Sequence, residues 1–261
     1  MTVLQLLLPG RAEVGNLTTD PEPTVQALAD LYAYPEPVSS RGWVRANMVS
    51  TLDGSASGPD GVSGSLGGAV DRATFKVLRG LSDVVLVGAG TVRAEGYGAP
   101  QTDEAFADRR RARGQRPAPA LAVVTRSGQV PSGNGLFEGS SPTFVVTTAQ
   151  ADLARLRDLA GRDQVIVAGD DDVDLDDAVR VLAGRGFRRI LLEGGPSLLG
   201  QALAQGKVDE LCLTWAPLMV AGDGPRIAVG PPAMVRARPA HLIAAEDVLL
   251  GRWLVQHVPN N

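Results

Sequence analysis

The sequence predicts an α/β fold: a mainly parallel central sheet flanked by helices, with antiparallel strands at its C-terminal edge. Three observations predict it. Short β-rich runs alternate with stretches of helical periodicity between residues 44 and 205, the pattern of a parallel sheet covered by helices. Those runs lack strict polar–apolar alternation, as strands buried on both sides do. After residue 205 three strand-like runs follow with no helix between them, which adds an antiparallel edge.

The elements follow in order. Residues 1–40 contain Pro21, Pro23, Pro35 and Pro37. Proline this dense opposes long regular elements, so the segment reads as an N-terminal adapter with a short helical stretch near 25–31. Residues 41–261 read as one domain without repeats or interior linkers. Its first strand is 44–49. Residues 53–68 carry glycines at 54, 58, 61, 64, 67 and 68 and read as a flexible loop. Residues 70–81 place Val70, Ala73, Phe75, Val77, Leu78 and Leu81 at roughly helical spacing. A short apolar strand, 83–88, enters the turn Gly88-Ala89-Gly90, and a short helix through 91–95 follows. Residues 98–118 are polar, rich in proline and arginine, and show no core face. Within them the run 109–113 reads as a solvated helix end or loop. Further strands are read at 120–125, 143–147, 164–168 and 188–192, with helices at 149–160, 174–185 and 196–205. The runs 210–215, 240–246 and 248–256 complete the edge.

Composition narrows the function. Hydrophobic residues make up 44% and charged residues 21% of 261, an ordinary globular balance long enough for a sizeable core. A net charge of −4 argues against a nucleic-acid partner. The single cysteine, Cys212, excludes a disulfide or Cys-based zinc site within the chain, and its apolar neighbours place it in the core. The run 4–8 is too short to span a bilayer and lacks a signal-peptide charge pattern, and no other stretch reaches about 18 unbroken apolar residues. No membrane partner and a cytoplasmic location are therefore expected. His241 and His257 lie in the late strands, far from acidic or nucleophilic motifs. Signatures of zinc proteases, serine hydrolases and zinc deaminases are absent. Hydride transfer needs none of these, because a cofactor supplies the chemistry.

Four segments can carry a site. In Leu191-Leu192-Glu193-Gly194-Gly195-Pro196-Ser197-Leu198-Leu199 an apolar strand enters a Gly-Gly turn and proline opens a helix. A helix start of this kind suits a phosphate, and the same pattern also serves as a plain strand–helix connection. Gly88-Ala89-Gly90-Thr91 is a second such turn, short of a full dinucleotide fingerprint. Two such turns at strand C-terminal ends mark the place where open α/β sheets bind ligands. Thr125, Arg126 and Ser127 follow another strand, where arginine and hydroxyl groups can hold the ribose 2′-phosphate of NADP or form an ordinary exposed turn. Asp53, in Ser50-Thr51-Leu52-Asp53-Gly54, can orient a substrate or fix its Asp-Gly turn.

In their order these segments resemble the reductase domain of riboflavin-biosynthesis enzymes, and more closely the stand-alone pyrimidine reductase-like proteins of that family. The resemblance spans roughly 41–258. It rests on Thr51-Leu52-Asp53-Gly54, the loop 61–65, Arg79 with Ser82-Asp83, Gly90-Thr91-Val92, 125–127 and 193–200, then 208–211, Ala216-Pro217 and Gly222. It implies a dihydrofolate-reductase-like fold, a homodimer, and NADPH held by Val49, Ser65, Gly88, Gly90, Thr91, Glu95, Thr125, Arg126, Ser127 and the turn Gly194, Gly195, Pro196, Ser197, Leu198 and Leu199. It implies substrate contacts from Ser63, Arg79, Glu193 and Asn47, with Asp53 and Glu193 orienting the substrate or supplying a proton path. The implied reaction is reduction of 5-amino-6-(5-phosphoribosylamino)uracil at the ribosyl C1′. Two alternatives stay open: reduction of dihydrofolate or another pteridine, and NADPH binding without catalysis.

The chain departs from the family pattern twice. Asn47 stands where a lysine is usual. Gly96-Tyr97-Gly98-Ala99-Pro100 stands where an arginine-bearing segment usually grips the substrate phosphate, leaving Arg79 as the expected phosphate ligand. Loss of one charge-assisted contact is worth roughly 1.5–3 kcal/mol. No deaminase segment is read in these residues, so the preceding pathway step is not expected of them.

Overall fold

A computed structural model describes residues 2–131, 133 and 135–256; His257 lies outside them. Among the described residues the strands form one 11-stranded sheet. In chain order the elements are β1 (Val3–Leu8), β2 (Ala12–Asn16), α1 (Pro21–Leu31), β3 (Trp43–Ser50), α2 (Gly68–Leu81), β4 (Val84–Gly88), α3 (Ala89–Ala94) and α4 (Glu104–Ala112). They continue with β5 (Ala120–Val124), β6 (Thr143–Thr147), α5 (Leu153–Ala160), β7 (Val165–Val167), α6 (Leu175–Gly184), β8 (Arg189–Leu192), α7 (Pro196–Ala204), β9 (Glu210–Trp215), β10 (Arg236–Ala245) and β11 (Val248–Gln256). The order across the sheet is β2-β1-β10-β11-β9-β3-β8-β4-β5-β6-β7. From β9 to β7 neighbouring strands are parallel, and from β9 back to β2 they are antiparallel. The expected α/β class with an antiparallel edge is what forms. One detail differs: β9 pairs parallel with β3, because α7 acts as a crossover that returns the chain in the same direction.

Strand residues point alternately to two cores. Val85, Val87, Leu121, Val123 and Leu191 join α1 and α2 on one face. Val84, Leu86, Ala122, Val124, Ile190 and Leu192 join α6 and α7 on the other. The strands are buried on both faces, which is why they read as unbroken apolar runs.

Two expectations need correction. Residues 1–40 hold more regular structure than their prolines suggest. The prolines fall at the first turn of α1 and in connections, where no backbone donor is lost. β1 pairs antiparallel with β10 and extends the sheet, so these residues are joined to it through backbone hydrogen bonds. Residues 98–118, read as lacking a core face, contain α4, with Phe106 fully buried. Arg110, from the run read as solvated, is also buried. It donates to the carbonyls of Gly80 (3.0 Å) and Ser82 (2.7 Å) at the end of α2, a C-cap from another helix. A side chain on Gly80 would overlap the Phe106 ring, so glycine there lets α2 and α4 touch.

Beneath α1 a cluster of charge joins the two halves of the sheet. Glu210 on β9 has no exposed side-chain surface, nor has Arg45 on β3. Arg45 Nε donates to Glu210 Oε1 at 2.5 Å, and Arg252 of β11 donates to both carboxylate oxygens at 3.0 Å. Burial alone would raise the Glu210 pKa; the two arginines outweigh it and hold it below its ordinary value. Arg252 also donates to the carbonyls of Leu31 and Ala33, and the Arg45 guanidinium lies 3.9 Å over the Tyr34 ring. His241 packs edge-on against Tyr32 at 4.6 Å, and burial, then Arg252, push its pKa down to about 4. Cys212 is buried beside Glu210, as its apolar neighbours implied. Among the described residues no helix is long and apolar enough to cross a membrane.

Two outcomes are expected. Glu210→Ala leaves two buried guanidinium groups uncompensated and lowers unfolding free energy by about 3–5 kcal/mol in urea titration; a change below about 1 kcal/mol would contradict the reading. His241 is depressed in the folded state, so its contribution is present above its unfolded pKa and is lost as pH falls from about 6.5 toward 4. His241→Phe should flatten the fall of stability across that window, followed by thermal unfolding in a pH series.

Candidate active site

The connection from β3 to β4 runs through α2 on one face of the sheet, and that from β8 to β9 runs through α7 on the other. Because β3 and β8 are neighbours, the chain leaves their C-terminal ends in opposite directions. This is a switch point, where open sheets form a crevice. A cleft of about 710 Å³ lies there. Asn47, Met48 and Val49 line it from β3, Gly90 and Thr91 from the turn after β4, and Glu193, Gly195 and Pro196 from the turn after β8. Asp71, Arg72, Phe75 and Arg79 line it from one face of α2, spaced i, i+1, i+4 and i+8 along a helical stripe.

Glu193 anchors one wall. Its side chain is 1% exposed. Arg79 clamps it in a fork, with Nε to Oε1 and Nη2 to Oε2 both at 2.7 Å, and Tyr97 Oη donates to Oε2 at 2.8 Å. The Arg79 guanidinium lies over the rings of Phe75 (4.3 Å) and Tyr97 (5.2 Å). Burial alone would lower the Arg79 pKa, but the Glu193 carboxylate more than offsets it and holds it above its usual value. Burial, then Glu193, raise the Tyr97 hydroxyl. Both partners therefore keep their protons, and Glu193 is fixed as an oriented acceptor. Arg79, expected as a phosphate ligand, makes this fork to the carboxylate while lining the cleft.

The opposite end of α2 carries a second carboxylate. Asp71 accepts a 2.6 Å hydrogen bond from Thr214 of β9, and a Cβ on Gly67 would overlap it. Burial raises its pKa, against the lowering effect of Thr214 and Arg72. Above the cleft, Glu95 accepts from the backbone N–H (2.8 Å) and hydroxyl (2.9 Å) of Ser63, which ties the glycine-rich loop to the end of α3.

The two glycine turns meet edge to edge. Gly88 N–H donates to Gly194 O at 2.8 Å, and a Cβ on Gly195 would lie 2.6 Å from Thr91 Oγ1. The peptide between Gly194 and Gly195 is cis. Gly90 has nothing within 4 Å of where its Cβ would be, so the turn opens to the cleft.

Of the residues expected at the site, Asn47, Val49, Ser63, Arg79, Gly90, Thr91, Glu95, Glu193, Gly195 and Pro196 line the cleft. Gly88 and Gly194 form the junction behind it. Thr125, Arg126 and Ser127 lie outside the lining, at the end of β5 and so one strand beyond the Gly88 turn. The other expected residues lie outside the lining. Asp53 is exposed and outside the lining; its carboxylate accepts from Thr51 Oγ1 (2.5 Å) and from the N–H groups of Val220 (3.1 Å) and Ala221 (2.7 Å). It clasps two loops, and these bonds lower its pKa, Thr51 contributing most. Ser65 is exposed and donates to Asp60 at 3.1 Å. Ser197 is exposed and outside the lining. Leu198 and Leu199 turn into the core, and their N–H groups donate to Gly195 O. Asp71, Arg72 and Tyr97 were not anticipated. Their signal was present: a polar stripe spaced with Arg79 on one helix, and a lone tyrosine between two glycines.

A family model described as the RibD C-terminal domain matches residues 42–249. The chain belongs to this family. It is 31% identical over 191 residues (72% of this chain, 84% of the relative) to a Methanothermobacter thermautotrophicus protein named 2,5-diamino-6-ribosylamino-4(3H)-pyrimidinone 5′-phosphate reductase. An Archaeoglobus fulgidus protein of the same name is 27% identical, covering 76% of this chain and 91% of the relative. Among solved structures, a pyrimidine reductase-like protein from Corynebacterium diphtheriae superposes with a TM-score of 0.76 at 27% identity, covering 88% of this chain and 99% of that one.

The Asp71 pair gives a direct check. Thr214→Val removes the donor that favours the ionised form, so the Asp71 pKa should rise further in a carboxyl-carbon NMR titration. An unchanged value would show that the hydroxyl does not tune it.

Proposed function

We propose that this chain is an NADPH-dependent reductase of riboflavin biosynthesis, acting on the ribosyl group of a 6-ribosylaminopyrimidine 5′-phosphate. The observation that carries the reading is the junction of two glycine turns beside an oriented carboxylate, at the switch point of a sheet in a RibD C-terminal domain. The names of the archaeal relatives support a diaminopyrimidinone base. The aminouracil implied by the family resemblance differs from it in the ring substituent alone, and both belong to the proposed substrate class.

The residues fit the cofactor. Glycine at 90 leaves room for close approach of a pyrophosphate, and the start of α7 presents its positive end beside it. Arg126 follows β5, and its guanidinium makes no hydrogen bond or ion pair among the described residues; it is the proposed holder of the 2′-phosphate. NADPH, when bound, supplies the hydride. The chain's own residues do the rest: Glu193 accepts from the substrate in a direction set by Arg79 and Tyr97, and Ser63 with Glu95 closes the loop against water. Asp53 serves by holding the loop clasp. The single, buried Cys212 supports a cytoplasmic setting. Exposed apolar side chains on two hydrogen-bonded loops, Leu52, Leu218 and Met219, support the homodimer.

The test is NADPH oxidation by the purified protein with each phosphoribosylaminopyrimidine and with dihydrofolate. Turnover of at least one pyrimidine and none of dihydrofolate is expected. Turnover of dihydrofolate alone, or NADPH binding with no turnover, would overturn the proposal.

A further inference from the structure

A phosphorylated substrate needs a cation in the cleft, and the expected one is taken. Arg79 gives two of its three guanidinium nitrogens to Glu193, and the segment 96–100 supplies no arginine. Arg72 lies seven residues earlier on α2, two helical turns away on the same face, and lines the same cleft. Its guanidinium makes no hydrogen bond and no ion pair among the described residues, although its charge is felt by its neighbour Asp71. Of the two arginines lining the cleft, Arg72 is thus the one not neutralised by a carboxylate contact.

We infer that Arg72 is the phosphate-binding residue of this chain, holding the 5′-phosphomonoester of the sugar. The inference rests on the proposed substrate class, and it adds the residue that replaces the missing arginine.

Position separates this phosphate from those of the cofactor. Asp71, next to Arg72, is bonded to Thr214 on β9, whereas Arg126 follows β5. The sheet order β9-β3-β8-β4-β5 places four strand spacings between them, roughly 19 Å. A nicotinamide dinucleotide held at the glycine turns with its 2′-phosphate at Arg126 leaves the β9 end of the cleft to the substrate. Asp71 does not cancel the site: its carboxylate is turned to Thr214 and Gly67, and burial disfavours its charge.

The experiment is calorimetric binding of ribose 5-phosphate and of ribose to the full chain, to Arg72→Met and to Arg72→Lys, with NADPH affinity measured on each and Arg126→Met as a comparison. The expected result is that the full chain prefers ribose 5-phosphate to ribose. Arg72→Met should lose about ten- to a hundredfold in affinity for the phosphate, as removal of a charge-assisted contact does. Arg72→Lys should lose less, NADPH affinity should not change, and Arg126→Met should weaken NADPH alone. The inference is overturned if Arg72→Met binds ribose 5-phosphate like the full chain, if the full chain shows no preference for the phosphate, or if Arg72→Met weakens NADPH instead. Pyrimidine turnover is read separately. Its absence beside an Arg72-dependent sugar phosphate would remove the reaction assigned above and leave the anion site standing.

Discussion

A carboxylate with no exposed surface, Glu210, sits between two guanidinium groups from different strands, Arg45 and Arg252. Such a cluster contributes little net stability compared with an apolar one of equal volume, because desolvating three charges offsets most of their attraction. Its effect is on arrangement. Glu210 belongs to β9, the strand that is parallel to one neighbour and antiparallel to the other. A register slip of one residue on either side would turn a charge to the wrong face and strand it. Arg252 also takes the last carbonyls of α1 and its exit, so the N-terminal segment docks on the same cluster. The cluster therefore sets the relation between the parallel half, which builds the cleft, and the antiparallel half, which braces it.

From that register the site follows. β9 in place puts Thr214 under the start of α2 and gives Asp71 its hydrogen bond. The far end of the same helix puts Arg79 against Glu193. α2 is thus held at both ends by polar contacts to strands on either side of β3, and its cleft-facing stripe is held between them. Arg110, buried under the helix C-terminus, satisfies carbonyls that would otherwise lack partners. Burial lowers the Arg110 pKa to about 10, still charged at neutral pH.

Much of this was legible in the sequence, for a physical reason. Strands buried on both faces must be apolar throughout, so β4, β5, β6 and β8 announced themselves, and the glycine turns after β4 and β8 could be placed to the residue. What could not be read was which polar residue would be buried. Arg110 stands in a run of arginines with nothing local to single it out: one partner is the carbonyl of Arg116, but the carbonyls that draw it under α2 lie about 30 positions away. The prolines of residues 21–37 suggested irregular chain, yet two of them open a helix. Asp53 and Ser65 looked like site residues because they sit in family motifs. In the folded chain both also bond to the loops around them, through partners at positions 60, 220 and 221 that spacing does not reveal.

Partners distant in sequence also decide what the arginine-poor segment means. An arginine is useful to a phosphate only while its donors are not satisfied elsewhere, and the Arg79 fork faces a carboxylate that is almost wholly buried. Releasing Arg79 to a ligand would leave Glu193 with a single donor, Tyr97, and a buried charge otherwise unpaired. That penalty is at least as large as the stabilisation a phosphate would provide in return. Tyr97, in the arginine-poor segment, adds a donor to the Glu193 clamp, and the demand for positive charge moves along α2 to the exposed Arg72.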